Sequence, residues 1–317
     1  QSEVSTEVFE RSKAYGISVG NAVWDWGTTD PYGHDAYKNP FGNFTTGEEY
    51  DWQAHYDGPG DWEPTVPGPG KGMGPFFGKA RTFAITEADK LCAPPLPYSE
   101  DPHSALFAQA LETYNAIDDT NWPDGQWIGY FWSDDLLNLT FSPGPRWIAI
   151  ANQVIDAEGT DLETSLFCYA KVGMALNDAA VACWHSKYIY NVERPESYIK
   201  RLIDPNWEPT LNNPLTGDNG MTPSFPAYPS GHSTMGGAGA EVLTEVFGNH
   251  YEMQDNCHLG RTEFNGTPRY FDNFYQMAEE NAISRVPLGV HFRMDCRTGV
   301  DLGYHVGRRV NKLPWRK

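Results

Sequence analysis

The chain of 317 residues sets 23 Lys and Arg against 42 Asp and Glu, a formal charge of −19. That excess repels nucleic acid and anionic membrane surfaces, so neither is an expected partner. The charge is uneven: residues 1–165 carry 8 basic and 26 acidic side chains and residues 166–317 carry 15 and 16, which leaves the C-terminal half as the place to hold a small anion.

With 40% apolar and 14% aromatic residues the chain can bury a sizeable core. One domain over 1–317 is expected, with an irregular N-terminal wrap at 1–100 and a helical core that carries the chemistry at 101–317. Wholly apolar runs such as Val181 to Trp184 are far shorter than the roughly 18 residues of a membrane span, so a soluble chain is expected. Gln1 opens the sequence, and Glu3, Glu7 and Glu10 do not resemble a secretory signal. A leader removed ahead of Gln1 would leave the same start, and a secreted or periplasmic location is the expectation. Cys92, Cys168, Cys183, Cys257 and Cys296 form no CxxC pair and read as buried thiols. On one helix Cys168 and Cys183 would lie about 22 Å apart, beyond the reach of a disulfide.

Val8, Tyr15, Val19, Ala22 and Trp26 share one face of an opening helix. Between Asp57 and Gly78, 12 of 22 residues are Gly or Pro, which predicts a long irregular loop; Trp62, Phe76 and Phe77 would pack it on the core. Helices follow at Ala105, Leu106, Leu111 and Tyr114, at Trp127, Phe131 and Leu137, and at Trp147 to Ile155. Leu162 to Asn191 reads as one long buried helix, with Leu166, Tyr169, Val172, Leu176, Ala180 and Cys183 inward. Asp204 to Pro229 is a Pro- and Asn-rich loop, His232 to Phe247 a small-residue helix, Phe271 to Asn281 leads into Ala282 to Arg297, and Thr298 to Lys312 closes the chain. Strand-like alternation is scarce. The fold class is therefore all-α, a helical bundle with long Gly/Pro-rich N-terminal loops.

Three patterns carry chemistry. Lys187 precedes Arg194 by seven residues, a spacing that puts both cations on one helical face, with Pro195 next and ending that helix. Pro229, Ser230, Gly231 and His232 open a helix whose free N–H groups and positive dipole end meet a Ser hydroxyl, which makes an anion site with a proton carrier beside it. Ser284, Arg285, His291 and Asp295 form the third: His291 and Asp295 at i and i+4 let the carboxylate fix the imidazole tautomer, leaving the other nitrogen as ligand or nucleophile. Arg285 adds a planar fork for an oxyanion. Each pattern alone is commonplace, but together they specify eleven positions in order, with a chance frequency on the order of 10⁻⁸. Asp118, Asp119, Asn121 and Asp124 also cluster, with Gly125 out of register for a calcium loop.

The combination Lys-x6-Arg-Pro, Pro-Ser-Gly-His and Ser-Arg-x5-His-x3-Asp resembles the signature shared by vanadium-dependent haloperoxidases and the acid phosphatases of the phosphatidic acid phosphatase type 2 superfamily. Trp184, and Phe225 in Pro223-Ser-Phe-Pro-Ala-Tyr-Pro-Ser-Gly-His232, are similar to aromatic residues on the halide side of fungal and bacterial haloperoxidases. Phe131-Trp132-Ser133-Asp134-Asp135 is similar to a helix segment of those enzymes whose acid supports the cradle, which makes Asp135 a partner for Arg285. The resemblance is specific over residues 126–312. It implies vanadate as cofactor, bound through His291 and held by Lys187, Arg194, Ser230, the Gly231 N–H and Arg285. It also implies His232 as acid–base, Lys187 as the residue that polarises peroxide, and Asp135 and Asp295 as supports. Hydrogen peroxide and a halide would be the substrates and hypohalous acid the product. The metal would act as a Lewis acid without redox change.

Phosphomonoester hydrolysis in the same cradle, with His291 as nucleophile, is the alternative, because phosphate and vanadate share a shape. A purely sequestering oxyanion binder would leave His232 without a role. Phe225 stands where algal bromoperoxidases carry His, and the likeness to bacterial members points to iodide first and bromide next. The motifs specify no oligomeric state.

Overall fold

Helix α1 (Thr6–Thr28) starts where the Ser5 hydroxyl accepts the Val8 N–H at 3.3 Å, in a computed structural model that describes residues 4–65, 67–136 and 138–315. The expected opening helix forms, yet little of its face is covered: no α1 residue is buried, Tyr15 is 71% exposed, and of that face Trp26 packs on Phe83, with ring centroids 5.1 Å apart. Periodicity gives a face but not a partner. The C-terminal end of α1 is held by Arg81, which donates to the Trp26 carbonyl at 2.8 Å and lies 4.5 Å from the Trp26 ring.

The wrap over 1–100 is thus irregular only beyond α1, where it holds short 3₁₀ turns. Its Gly/Pro-rich stretch does pack on the core: Trp62 is 1% exposed and donates its N–H to the Asn191 carbonyl at 2.7 Å. A buried carboxylate anchors the next stretch, since Asp178 accepts the N–H groups of Phe83, Ala84 and Ile85 at 2.8, 2.7 and 3.1 Å. Helix α2 (Ala105–Ala116) buries Leu106, Ala110, Thr113 and Ala116, while Leu111 faces outward. Helix α3 (Gly125–Phe131) is shorter than its periodicity suggests. It ends at Phe131, Leu137 lies outside the described residues, and the Phe131 to Asp135 segment continues as a loop rather than a helix. Asp118 and Asp119 cap backbone N–H groups of Thr120 and Gln126 there.

Helix α4 (Pro143–Glu158) has Pro at its start and Gly159 in the left-handed region at its end. Helix α5 (Leu162–Tyr190) is the long helix expected, but Leu166 and Tyr169 face solvent. Its buried face is Cys168, Val172, Ala175, Ala179 and Ala182 instead. By length and composition alone α5 could cross a membrane, at a mean hydropathy of 1.2; 56% of that stretch is buried inside the protein. Short helix α6 (Pro195–Leu202) precedes the 204–229 loop and central helix α7 (Gly231–Phe247). A small antiparallel ribbon, β1 (Met253–Asp255) with β2 (Arg269–Phe271), pairs Gln254 with Tyr270. Helices α8 (Phe274–Ile283) and α9 (Arg293–Asn311) close the bundle.

Helix α7 packs most extensively on α9, and also on α8, α5 and α4. Small residues let the backbones meet: a Cβ on Gly303 would fall 2.2 Å from the Thr234 carbonyl, and one on Gly237 2.6 Å from that of Val300. Trp132 and Trp147 stack beside this crossing at 6.4 Å. All five cysteines are free thiols, four of them buried.

Candidate active site

Lys187 and Arg194 come together from two helices, not one. Asn191 adopts the left-handed conformation (φ 48°) and ends α5, and Arg194 then serves as the extended N-cap of α6 with Pro195 at its first position. Proline there loses no hydrogen bond, so Pro195 starts a helix rather than ending one. Both cations are fully buried. Lys187 Nζ donates to the carbonyls of Pro226 and Ala227 at 2.8 and 2.9 Å, which leaves one N–H. Arg194 Nε donates to the Phe225 carbonyl at 2.9 Å and Nη1 to the Val290 carbonyl at 2.8 Å, while Nη2 has no partner. Phe225 lies beneath both, its ring 4.9 Å from Lys187 Nζ and 5.0 Å from the Arg194 guanidinium. Trp184 packs on Phe225 at 5.0 Å.

Ser230 is the N-cap of α7, its Oγ accepting the Ser233 N–H at 3.4 Å, so Gly231 and His232 begin the helix. The Gly231 N–H, in the first turn, has no intrahelical acceptor. The third pattern also departs from a continuous helix: α8 stops at Ile283, Arg285 and His291 lie in the 284–292 connection, and Asp295 sits in the first turn of α9. Asp295 Oδ2 accepts the Phe292 N–H at 3.1 Å and the His291 Nδ1–H at 2.8 Å. One carboxylate therefore caps the helix and orients the imidazole.

Hydrogen-bond partners assign both tautomers. His291 Nε2 lies 3.2 Å from Arg194 Nη1, and since guanidinium only donates, Nε2 is the bare nitrogen. His232 is opposite, because its Nε2 lies 2.8 Å from the Ser133 carbonyl and must carry the proton. Ser133 also accepts from Arg285 Nη1 at 3.2 Å, Arg285 Nη2 pairs with Asp135, and Arg285 Nε has no partner. Burial, then Arg285, holds His232 down to about 3, and burial followed by Arg194, Lys187 and Arg285 keeps His291 well below the ordinary range. Lys187 and Arg194 are likewise depressed, chiefly by burial, while burial raises Asp295 against the pull of both cations.

All the sequence-predicted residues thus gather at one place: Lys187, Arg194, Ser230, Gly231, His232, Arg285, His291 and Asp295, with Asp135 behind Arg285 and Trp184 and Phe225 along one side. Sequence reasoning missed Ser133, which acts through its backbone carbonyl and leaves no side-chain signal. It also missed the buried ions behind the 131–135 loop. There Arg146 pairs with Asp255 at 2.8 Å and Asp134 at 3.7 Å, contacts His258, and lies 4.7 Å from the Trp132 ring.

The donor set fits an oxyanion better than a bare cation. Among the described residues no group of three His, Cys, Asp or Glu is placed to hold a metal ion. Instead two buried guanidinium N–H groups lack acceptors beside a single bare imidazole nitrogen. Buried donors are normally satisfied, so these two point to an absent acceptor. These groups fit a vanadate, whose oxygens would accept from the free donors and whose metal would take one nitrogen.

Residues 167–314 match the family described as the VCPO second helical-bundle domain. A bacterial vanadium-dependent iodoperoxidase of known structure is 34% identical, with TM-score 0.81 over 96% of this chain and 70% of its own. The vanadium chloroperoxidase of Curvularia inaequalis is 26% identical over 291 residues, 72% of this chain. The chain spans about half, 47%, of that curated relative. A bacterial vanadium-dependent chloroperoxidase at 16% identity shares the fold, with TM-score 0.64 over 91% of this chain and 69% of its own. On the match at 34% identity over 96% of this chain and 70% of that relative, together with the three motifs assembled in one cradle, this chain belongs to the bacterial vanadium-dependent haloperoxidases.

Proposed function

We propose that the chain is a vanadate-dependent peroxidase that oxidises halide, iodide first and bromide next, with hydrogen peroxide to hypohalous acid. The observation that carries this reading is the pair of unsatisfied guanidinium N–H groups, on Arg194 and Arg285, beside a bare His291 Nε2. His291 would take the metal, and the Arg194 Nη1 hydrogen bond would pass from Nε2 to a bound oxygen. The remaining Lys187 N–H, both guanidinium groups, the Ser230 hydroxyl and the Gly231 N–H would hold the other oxygens, each charged contact contributing about 1.5 to 3 kcal/mol. When bound, vanadium(V) supplies Lewis acidity toward peroxide without changing oxidation state.

His232 does the proton work. Its Nε2–H is committed to Ser133, so Nδ1 is the basic nitrogen that accepts a proton from incoming peroxide and returns it to the leaving oxygen. Depressed basicity keeps His232 neutral before peroxide arrives, the state a base needs. Trp184 and Phe225 supply an apolar side where a halide sheds water, and Phe225 offers no proton there. The iodide preference is supported by the iodoperoxidase relative at 34% identity.

Protein loaded with orthovanadate should oxidise iodide with peroxide, with turnover falling from iodide to bromide to chloride. Halide oxidation absent while p-nitrophenyl phosphate is cleaved would replace this reading with the phosphatase one.

A further inference from the structure

Residues 131–135 form a strap with two working faces. Toward the cradle the strap presents the Ser133 carbonyl, which accepts from His232 Nε2 at 2.8 Å and from Arg285 Nη1 at 3.2 Å. It also presents the Asp135 carboxylate, which pairs with Arg285 and lies 3.9 Å from His232 Nε2. Behind the strap lies Arg146 of α4, fully buried, which reaches the other three residues. Its guanidinium lies 4.8 Å from the Phe131 ring and 4.7 Å from the Trp132 ring, and Nη1 is 3.7 Å from Asp134 Oδ1. Arg146 is itself fixed, because Nη2 donates at 2.8 Å to Asp255 Oδ2. The other Asp255 oxygen accepts from Gln153 Nε2 at 3.0 Å and from the Cys257 N–H at 2.9 Å. Asp134 is the turning point between the two faces. Its backbone stands at φ 38°, in the left-handed region that a residue with a Cβ rarely enters. Its carboxylate is buried, and among the described residues Oδ1 makes no hydrogen bond, so the Arg146 charge is what chiefly offsets that burial.

We propose that Arg146 and Asp134 are positioning residues for the cradle: their contact holds the strap so that the Ser133 carbonyl fixes the Nε2–H tautomer of His232 and orients Arg285. A carbonyl only accepts, so the ring nitrogen it meets must carry the hydrogen, which leaves Nδ1 as the base. Arg285 shares that carbonyl and so depends on the same placement. A strap displaced by about 1 Å would weaken both hydrogen bonds, and a misplacement of that size costs up to about 100-fold in rate. The effect on the tautomer follows from the cradle geometry alone; the effect on turnover rests on the peroxidase reading.

Asp134→Gly separates this account from a purely local one. Glycine accepts φ 38° freely, so if the turn alone shaped the strap, the cradle would be unaltered. Arg146 keeps its pair with Asp255 in that variant, which preserves the buried ion pair of the fold. Nitrogen NMR of labelled histidine in vanadate-free protein reads the tautomers at pH 8, above the value of about 7 to which burial raises Asp134. Asp134→Gly should move the His232 tautomer ratio about 2- to 12-fold toward Nδ1–H, the equivalent of one hydrogen bond, with His291 unchanged. Arg146→Lys, which keeps the charge but loses the planar fork, should shift His232 in the same direction. The double variant should shift it no further than the larger single change, because the two residues act through one contact. Val154→Ala, another buried position on α4, should lower stability without moving the tautomer. In orthovanadate-loaded protein, Asp134→Gly should lower iodide turnover about 10- to 100-fold with the iodide KM unchanged. An unmoved His232 ratio in Asp134→Gly, additive shifts in the double variant, or an equal shift in Val154→Ala overturns the proposal. Unchanged turnover beside a shifted tautomer overturns its bearing on catalysis. If the unaltered protein oxidises no halide, the vanadate-free NMR result still decides the positioning role, which separates the two readings.

Discussion

Replacing Arg285 by Gln tests whether the cradle tunes its own base. Arg285 Nη1 and His232 Nε2 share the Ser133 carbonyl at 3.2 and 2.8 Å, which bounds their separation at 6.0 Å. At an effective dielectric of about 20, a unit charge at that distance disfavours imidazolium by about 2.8 kcal/mol, or about 2 pH units. The substitution removes that repulsion and frees Asp135, 3.9 Å from His232 Nε2, to favour the protonated ring. Both effects have one sign. In vanadate-free Arg285→Gln protein the His232 titration, followed by NMR of labelled histidine, should move up by about 2 units from its depressed position. Vanadate affinity, from equilibrium dialysis, should fall about 10- to 150-fold with loss of one charge-assisted hydrogen bond. Weaker vanadate binding with an unmoved His232 would show that Arg285 grips the anion without setting the base, and would refute the electrostatic argument.

Nitrogen NMR of the vanadate-free protein should find opposite neutral tautomers, Nδ1–H on His291 and Nε2–H on His232, at pH 7; matching tautomers would contradict the assignment. Arg146→Met leaves Asp255 and Asp134 buried without their cation and should destabilise the fold by about 3 to 5 kcal/mol in urea titration. Burial already raises Asp134 to about 7, so the folded state holds its proton more tightly than the unfolded chain; the loss should be larger at pH 8 than at pH 5, and a pH-independent loss would count against it. Gly303→Ala drives a methyl group into the Thr234 carbonyl and should cost about 1 to 3 kcal/mol in the same assay. Orthovanadate at a hundredfold excess over its dissociation constant should stabilise the protein by about 2.7 kcal/mol, and His291→Ala should abolish that shift in calorimetry.

The site residues were legible because their chemistry lies in side chains whose order along the chain is distinctive. Their backbone setting was not. Asn191 and Pro195 read as the end of one helix, whereas Asn191 ends α5 and Pro195 begins α6, since proline suits the first helical turn as well as it breaks a later one. The 284–292 connection reads as helix by composition, yet Asp295 draws the chain into a new N-terminus by accepting the Phe292 N–H. Ser133 acts through a carbonyl that every residue possesses. Arg146 and Asp255, 109 residues apart, meet only through tertiary packing. The α1 face shows the converse error, in which a legible pattern found little surface to cover, Trp26 meeting Phe83 and Arg81 at its C-terminal end.

The total charge of −19 and an anion site coexist because they act over different distances. Charges on the acidic half are separated from approaching molecules by water and screened beyond about 8 to 10 Å. Within the cradle Lys187, Arg194 and Arg285 are buried, where the dielectric is low and screening is weak. Two carboxylates share that space, Asp135 and Asp295, and both are already engaged, one by Arg285 and one by His291 and a backbone N–H. With both histidines neutral, three cations against two carboxylates leave one positive charge and two unmatched guanidinium donors. The outer field therefore turns away polyanions at long range, while a small oxyanion that reaches the cradle meets donors that nothing else in the protein satisfies.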